Sequence, residues 1–223
     1  MSEVDAARGA LLAAALPLAA TRGWTDAVVA EAVAAAGIDR PLAARALPQG
    51  AIDLVIEFHA EADRRMVAAL AARDLSPLRF RERVALAVRL RLEALAPHRD
   101  AARRALALQA LPANAARAAA SVVATADSIW RALGDRAADF SFYTKRASLA
   151  AVCAATFVAW LGDDGEDHAA TWAFLDRRIG EVMAFGALRT RAGEAVGVAA
   201  TTVRRAVSRI LPPAWRGRPS GAG

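Results

Sequence analysis

With 223 residues, 56% of them hydrophobic and 23% charged, the chain is sized for one domain or one domain with an appendage, and it is too apolar for general disorder. Its formal net charge of +6 is unevenly spread. Residues 1–60 hold four arginines against seven acids, a net of −3, whereas residues 186–223 hold seven arginines against Glu194 alone, a net of +6. The single cysteine, Cys153, excludes a disulfide framework, points to a reducing compartment and reads as a small buried hydrophobe. The acidic start Met1-Ser2-Glu3-Val4-Asp5 lacks the positive charge of a secretory leader, and Pro17 breaks the Leu11–Ala20 run, so export is not expected. The longest apolar stretch, Ala147–Gly162, falls short of the roughly 18–20 residues that span a bilayer and is expected to be a buried helix.

No strand-like alternation persists, and apolar residues recur at three and four positions almost throughout, which predicts an all-α fold of about nine or ten helices. The first is expected near Glu3–Arg22, ending at Gly23. A second spans Asp26–Ala36, with Thr25 or Asp26 as N-cap and Gly37 as the stop. A third, near Arg40–Ala46, takes Asp39 as cap and Pro41 in its first turn, where a missing N–H costs nothing. A long helix from about Ile52 to Ala72 follows, then Leu78–Leu95, Arg99–Gln109, Ala113–Leu133, Tyr143–Trp160 and Ala169–Phe185. A separate C-terminal helix is predicted near Gly193–Leu211, closed by Pro212-Pro213.

This organisation divides into residues 1–50, with the spacing of a helix-turn-helix; residues 51–188, a larger helical domain; and residues 189–223, an amphipathic helix with a basic tail. The first part looks like the N-terminal module of TetR-type repressors, so a ligand-responsive transcription regulator is one reading. Charge argues against it. A repressor gains affinity by neutralising phosphates with Lys and Arg, and this region is net negative. Its third helix offers Arg40 and Arg45 but no Asn, Gln or Lys to read base edges. A degenerate module that kept the fold and lost nucleic acid is the expectation.

Chemistry-bearing motifs are scarce. His59, His98 and His168 are scattered, with no H-x-x-x-H or H-E-x-x-H pairing, and neither a G-x-S-x-G, a phosphate-cradling glycine loop nor a CxxC occurs. The cluster Asp163-Asp164-Gly165-Glu166-Asp167-His168 lacks the ligand spacing of an EF-hand and reads as a solvated loop that caps the next helix. No catalytic constellation and no metal site emerge.

What stands out is a concentration of aromatic and charged residues in Asp139-Phe140-Ser141-Phe142-Tyr143-Thr144-Lys145-Arg146 and in Thr171-Trp172-Ala173-Phe174-Leu175-Asp176-Arg177-Arg178. Phe142 and Arg146 share a helical face, flanked by Tyr143 and Lys145. Upstream, Ala126, Ile129, Trp130 and Leu133 form a three-and-four stripe with Asp127 beside it. These aromatics suit either a core between helices or an exposed partner patch, since Trp, Tyr and Arg dominate interface hot spots. Trp172, Leu175 and Ile179 form a further stripe, suited to a core or a dimer helix. In the last predicted helix, Val196, Val203, Val207 and Ile210 form an apolar face with Leu211 beside it; Thr201, Arg204, Arg205 and Arg209 lie off it, and Trp215 follows with Arg216 and Arg218 just after it. An apolar face with arginines opposite and an interfacial tryptophan is the pattern of a helix lying in a membrane surface.

Trp130, Asp139, Phe142, Tyr143 and Arg146 resemble a segment of the TetR-fold lipid-binding accessory proteins of ubiquinone biosynthesis, the ninth coenzyme-Q biosynthesis family. That segment reads Trp-Tyr-Thr-Arg-Arg there; this chain has Phe142 where the family usually has tryptophan and Lys145 where it often has arginine. The resemblance covers most of the chain and is strongest from Thr125 to Phe185. It implies a TetR-like, non-enzymatic homodimer, peripheral on the cytoplasmic membrane, that lifts a quinone precursor from the bilayer and offers it to the demethoxyubiquinone hydroxylase. It further implies that Trp130, Asp139, Phe142, Tyr143 and Arg146 dock the hydroxylase and that Leu149, Cys153, Trp172 and Leu175 wall a lipid cavity. Val203, Arg204, Arg205, Val207, Arg209, Ile210 and Trp215 would meet the membrane surface. No cofactor is implied, but a bound isoprenoid lipid or phospholipid is, and no nucleic acid. The many alanines of Ala147–Ala159 leave room for such a cavity.

Overall fold

The computed structural model describes residues 2–134 and 140–184, with side chains over 2–134 and 146–184. It contains helices α1 (Glu3–Arg22), α2 (Asp26–Ala36), α3 (Arg40–Ala46), α4 (Ala51–Ala71), α5 (Phe80–Leu95), α6 (Arg99–Gln109), α7 (Ala115–Ala132), α8 (Phe140–Leu161) and α9 (169–184). There is no strand among the described residues. The main unit runs from Met1 to Ile179; a second unit begins at Gly180, of which only the end of α9 is described.

Local chemistry accounts for most helix ends. Ser2 and Asp5 form a reciprocal capping box on α1. The Thr25 hydroxyl accepts from Val28 N–H at the start of α2, and Asp39 Oδ1 accepts from Leu42 N–H at 2.7 Å at the start of α3. Gly37 closes α2 at φ 64°, a left-handed conformation in which a side chain would be strained. Three predicted starts move by two residues or more; α8 begins at Phe140 rather than Tyr143. Residues 74–78 are spent on turns, Ser76 N–H to Asp74 Oδ1 and Leu78 N–H to Leu75 O, so α5 begins at Phe80 rather than Leu78. Pro112–Asn114 forms a 3-10 turn, which delays α7 to Ala115. Pro17 does not break the first apolar run: α1 passes through it unbroken. Interior proline costs about 3 kcal/mol, and the burial of Leu11, Leu12, Ala15 and Ala19 outweighs it.

Among the described residues α1 is the helix long and apolar enough to cross a membrane, and it packs its inward face on α2, α3, α4 and α6. Trp24 ties this corner to the rest. Buried at 5% exposure, it donates Nε1–H to Ala101 O of α6 at 2.9 Å and tilts against Phe58 of α4, with ring centres 5.6 Å apart. Helix α4 then runs through the middle of the unit, against α5 and α7, while α7 packs on α8.

Arg99 joins α6 to the end of α8. Its Nη2 donates to Trp160 O, Leu161 O and Asp163 O, so one guanidinium gathers carbonyls at and just beyond the end of α8. The acidic loop beyond serves as a cap for α9. Asp163 Oδ2 accepts from Thr171 N–H and Oγ1–H, and Asp167 Oδ1 accepts from Ala169 N–H.

Candidate functional site

Polar residues at inward positions of four helices meet in the centre of the main unit. His59 and Asp63, four apart on α4, lie on the stripe that also carries Val55, Ala62 and Met66. Arg91 lies on the inward stripe of α5 with Val84, Val88 and Leu95. Arg91 Nε donates to Asp63 Oδ1 at 2.6 Å, and its Nη2 donates to His59 Nδ1 at 3.1 Å. Thr125 of α7 donates its hydroxyl to Asp63 Oδ2 at 2.8 Å. Gln109, the last residue of α6, sets Oε1 at 3.3 Å from His59 Nε2. All five side chains are buried. A guanidinium can only donate, so Nδ1 of His59 is the acceptor and Nε2 carries the proton that Gln109 receives. Burial, and then the Arg91 guanidinium, push the His59 pKa down to about 3, so the ring is neutral at ordinary pH.

This cluster forms one end of a cavity of about 190 Å³ between α4, α5, α6, α7 and α8. Leu106, Val122, Cys153, Ala154 and Phe157 supply its apolar walls, and Val158, 53% exposed, stands at the rim. Phe157 sets its ring edge against His59 at 5.5 Å between centres. Burial pushes the Cys153 thiol up to about 12, which leaves it a protonated, unreactive wall atom.

Of the residues assigned to a lipid wall, the structure brings Cys153 to this cavity. Leu149 and Leu175 are packed in the hydrophobic core. Trp172 is half-buried on α9, its Nε1–H on Asp167 O, with the Arg89 guanidinium 5.1 Å over its ring and His168 at its edge. Of the residues assigned to a partner patch, Trp130 is half-buried and stacks on Phe80, which is 44% exposed, with centres 5.3 Å apart. Arg146 is buried, its Nε on Asp127 Oδ1 at 2.6 Å; Arg131 takes the other oxygen of Asp127. Asp139 and the side chains of Phe142 and Tyr143 lie outside the described residues, as do Val203, Arg204, Arg205, Val207, Arg209, Ile210 and Trp215.

Asp63, Arg91, Gln109 and Thr125 belong to no sequence motif, and His59 has no histidine at a paired spacing. The signal was present: a histidine and an aspartate four apart inside an otherwise apolar stripe, and an arginine at the inward position of the next helix.

In the N-terminal module several arginines are already committed. Arg8 Nε donates to Ala46 O, Arg22 makes a two-pronged pair with Glu31, and Arg45 reaches Glu3. Phosphate would have to displace these contacts.

A helix-turn-helix-like corner joined to a helical domain with an internal cavity defines a TetR-like fold. It is similar to the crystal structure of the TetR transcriptional regulator from Nitrosomonas europaea, with a TM-score of 0.62 at 20% identity, over 79% of this chain and 98% of that one. Within that class the chain is similar to COQ9: the sequence profile of the COQ9 family matches residues 115–186, helices α7 to α9. The chain is also 33% identical over 189 residues to the mitochondrial ubiquinone biosynthesis protein COQ9 of Drosophila melanogaster, and 30% identical over 183 residues to that of Homo sapiens. These alignments cover 82% and 79% of this chain but 57% of each relative, so the chain spans somewhat over half the length of the curated relatives it matches.

Proposed function

We propose that the protein is a non-catalytic lipid-binding accessory protein of ubiquinone biosynthesis, which presents an isoprenoid quinone precursor to the demethoxyubiquinone hydroxylase at the membrane. The observation that carries this reading is the coincidence of two things. Helices α7 and α8, inside the segment that matches COQ9, form one side of an apolar-walled cavity with a polar end. The protein works as a homodimer, held peripherally on the cytoplasmic face of the inner membrane by the apolar face and arginines of residues 189–223. Trp130, Asp139, Phe142, Tyr143 and Arg146 form the docking segment for the hydroxylase, with Arg146 acting from a buried position by holding α8 to Asp127 of α7. Leu149 and Leu175 support the cavity from the core, and Cys153 lines it.

The TetR-like fold invites the rival reading of a ligand-responsive transcription regulator. The committed arginines and net negative charge of residues 1–60 weigh against phosphate binding. Extraction of the purified protein followed by mass spectrometry is the deciding measurement. An isoprenoid or phospholipid at near-stoichiometric amount is expected, and lipid-free protein after purification from membrane-containing lysate would sink the proposal.

A further inference from the structure

A second recess opens where α4 ends. Its volume is about 380 Å³, in the range of small-molecule pockets, and no residue lines both it and the central cavity. The chain builds it by turning sharply between α4 and α5. Arg73 N–H donates to Leu70 O, Ser76 N–H to Asp74 Oδ1 and Leu78 N–H to Leu75 O. These turns bring Leu75 back against the hydrophobic core. Leu70, Leu75 and Ala132 of α7 then supply the apolar part of the lining.

Arg73 and Arg83 supply the charge. Arg73 Nη1 donates to Ala69 O at 2.7 Å and Arg83 Nε to Leu78 O at 2.8 Å, so one N–H tethers each guanidinium to the backbone. Among the described residues neither arginine forms an ion pair, and their remaining N–H groups are unspent. The acids of this stretch are engaged. Glu82 closes the start of α5 with Arg79, and hydrogen bonds from Ser76, more than the charge of Arg83, hold the Asp74 carboxyl below its ordinary pKa. No carboxylate lines the recess among the described residues. The central cavity differs in this respect, because there Arg91 is already paired with Asp63.

We propose that this recess is a second ligand site, for a compact amphipathic oxyanion: a carboxylate or phosphate held by Arg73 and Arg83, joined to a ring-sized apolar body that lies on Leu70, Leu75 and Ala132. A guanidinium fork matches either oxyanion, and the tethers keep the two forks in place before the ligand arrives. The apolar lining makes the body of the ligand contribute as well as its charge, so a bare anion is a poor ligand. The site is independent of the lipid-carrier reading, since it uses none of the residues of the central cavity.

Isothermal titration of the full-length purified protein tests this with 2-naphthoate and 2-naphthyl phosphate, against neutral 2-naphthamide and against acetate and inorganic phosphate. The tighter of the two naphthyl anions, which identifies the preferred head, is expected to bind at least about tenfold better than the amide or either bare anion. Arg73→Gln and Arg83→Gln should each weaken that anion by about tenfold, the loss of a charge-assisted hydrogen bond, and leave the amide unchanged. Arg83→Lys should restore part of the loss, and Ala132→Leu should weaken binding by filling the recess while both arginines stay. Ala154→Leu, which fills the central cavity instead, should have no effect. Circular dichroism melting confirms that each variant folds. Equal binding of the anions and the amide, bare anions as tight as the naphthyl ones, an affinity indifferent to both arginines, or a loss confined to Ala154→Leu would each overturn the site.

Discussion

Arg91 and Asp63 face each other at 2.6 Å in the middle of the main unit, 28 residues apart in the chain and each almost wholly buried. An ion pair here is paid for in desolvation, and what offsets that cost is completeness: Thr125 and His59 occupy the groups that the pair leaves over.

Removing one partner should therefore cost far more than removing both. Asp63→Ala is expected to lower unfolding free energy by about 3–5 kcal/mol, because it leaves the Arg91 guanidinium buried without a counter-charge. The double variant Asp63→Leu with Arg91→Met should recover most of that loss. Urea denaturation of the three proteins measures it, and strict additivity of the single effects would contradict the pairing.

Acid should act through His59. Above about pH 6.5 the ring is neutral whether the chain is folded or not, so it adds no pH dependence. Below that, the unfolded chain takes up a proton that the folded ring refuses until about pH 3, and stability falls by about 1.4 kcal/mol per pH unit over the interval. Compared with pH 7, wild type should lose about 3 kcal/mol more by pH 4 than His59→Gln. Parallel stability curves for the two proteins would show that His59 titrates normally.

Cys153 should be silent in the folded protein. Its thiol, pushed up to about 12 by burial, carries almost no thiolate at pH 8, and iodoacetamide should alkylate it at least about a hundredfold more slowly than in urea. Intact-mass spectra over time give the rate.

Trp24 is the anchor of the N-terminal corner. Trp24→Phe keeps much of the ring packing on Phe58 but removes the Nε1–H donor to the Ala101 carbonyl, and should cost about 0.5–1.5 kcal/mol. A thermal melt followed by circular dichroism reads the shift.

The proposed docking and membrane functions should separate. Trp130→Ala or Tyr143→Ala is expected to weaken capture of the hydroxylase while liposome sedimentation is unchanged; Arg204→Glu with Arg205→Glu is expected to do the reverse. Equal loss of both properties in every variant would contradict the division.

The helices and most of their ends were legible from residues within about four positions of one another. Thr25, Asp39 and Gly37 act on backbone groups one turn away, so their effect does not depend on where the rest of the chain goes. The family resemblance was legible for the same reason, being carried by a continuous segment that coincides with part of residues 115–186. Only the tertiary structure decided what Arg146 does. On a helical wheel it could have faced a partner, and it is buried because α8 lies against α7, where Asp127 waits. The polar cluster likewise depends on packing. His59, Arg91, Gln109 and Thr125 come from four helices, and an arginine on an apolar stripe is tolerable only if a carboxylate from another helix arrives opposite it. Local chemistry determined the helices by itself; the cavity and its charge balance came from burial, which no single helix specifies.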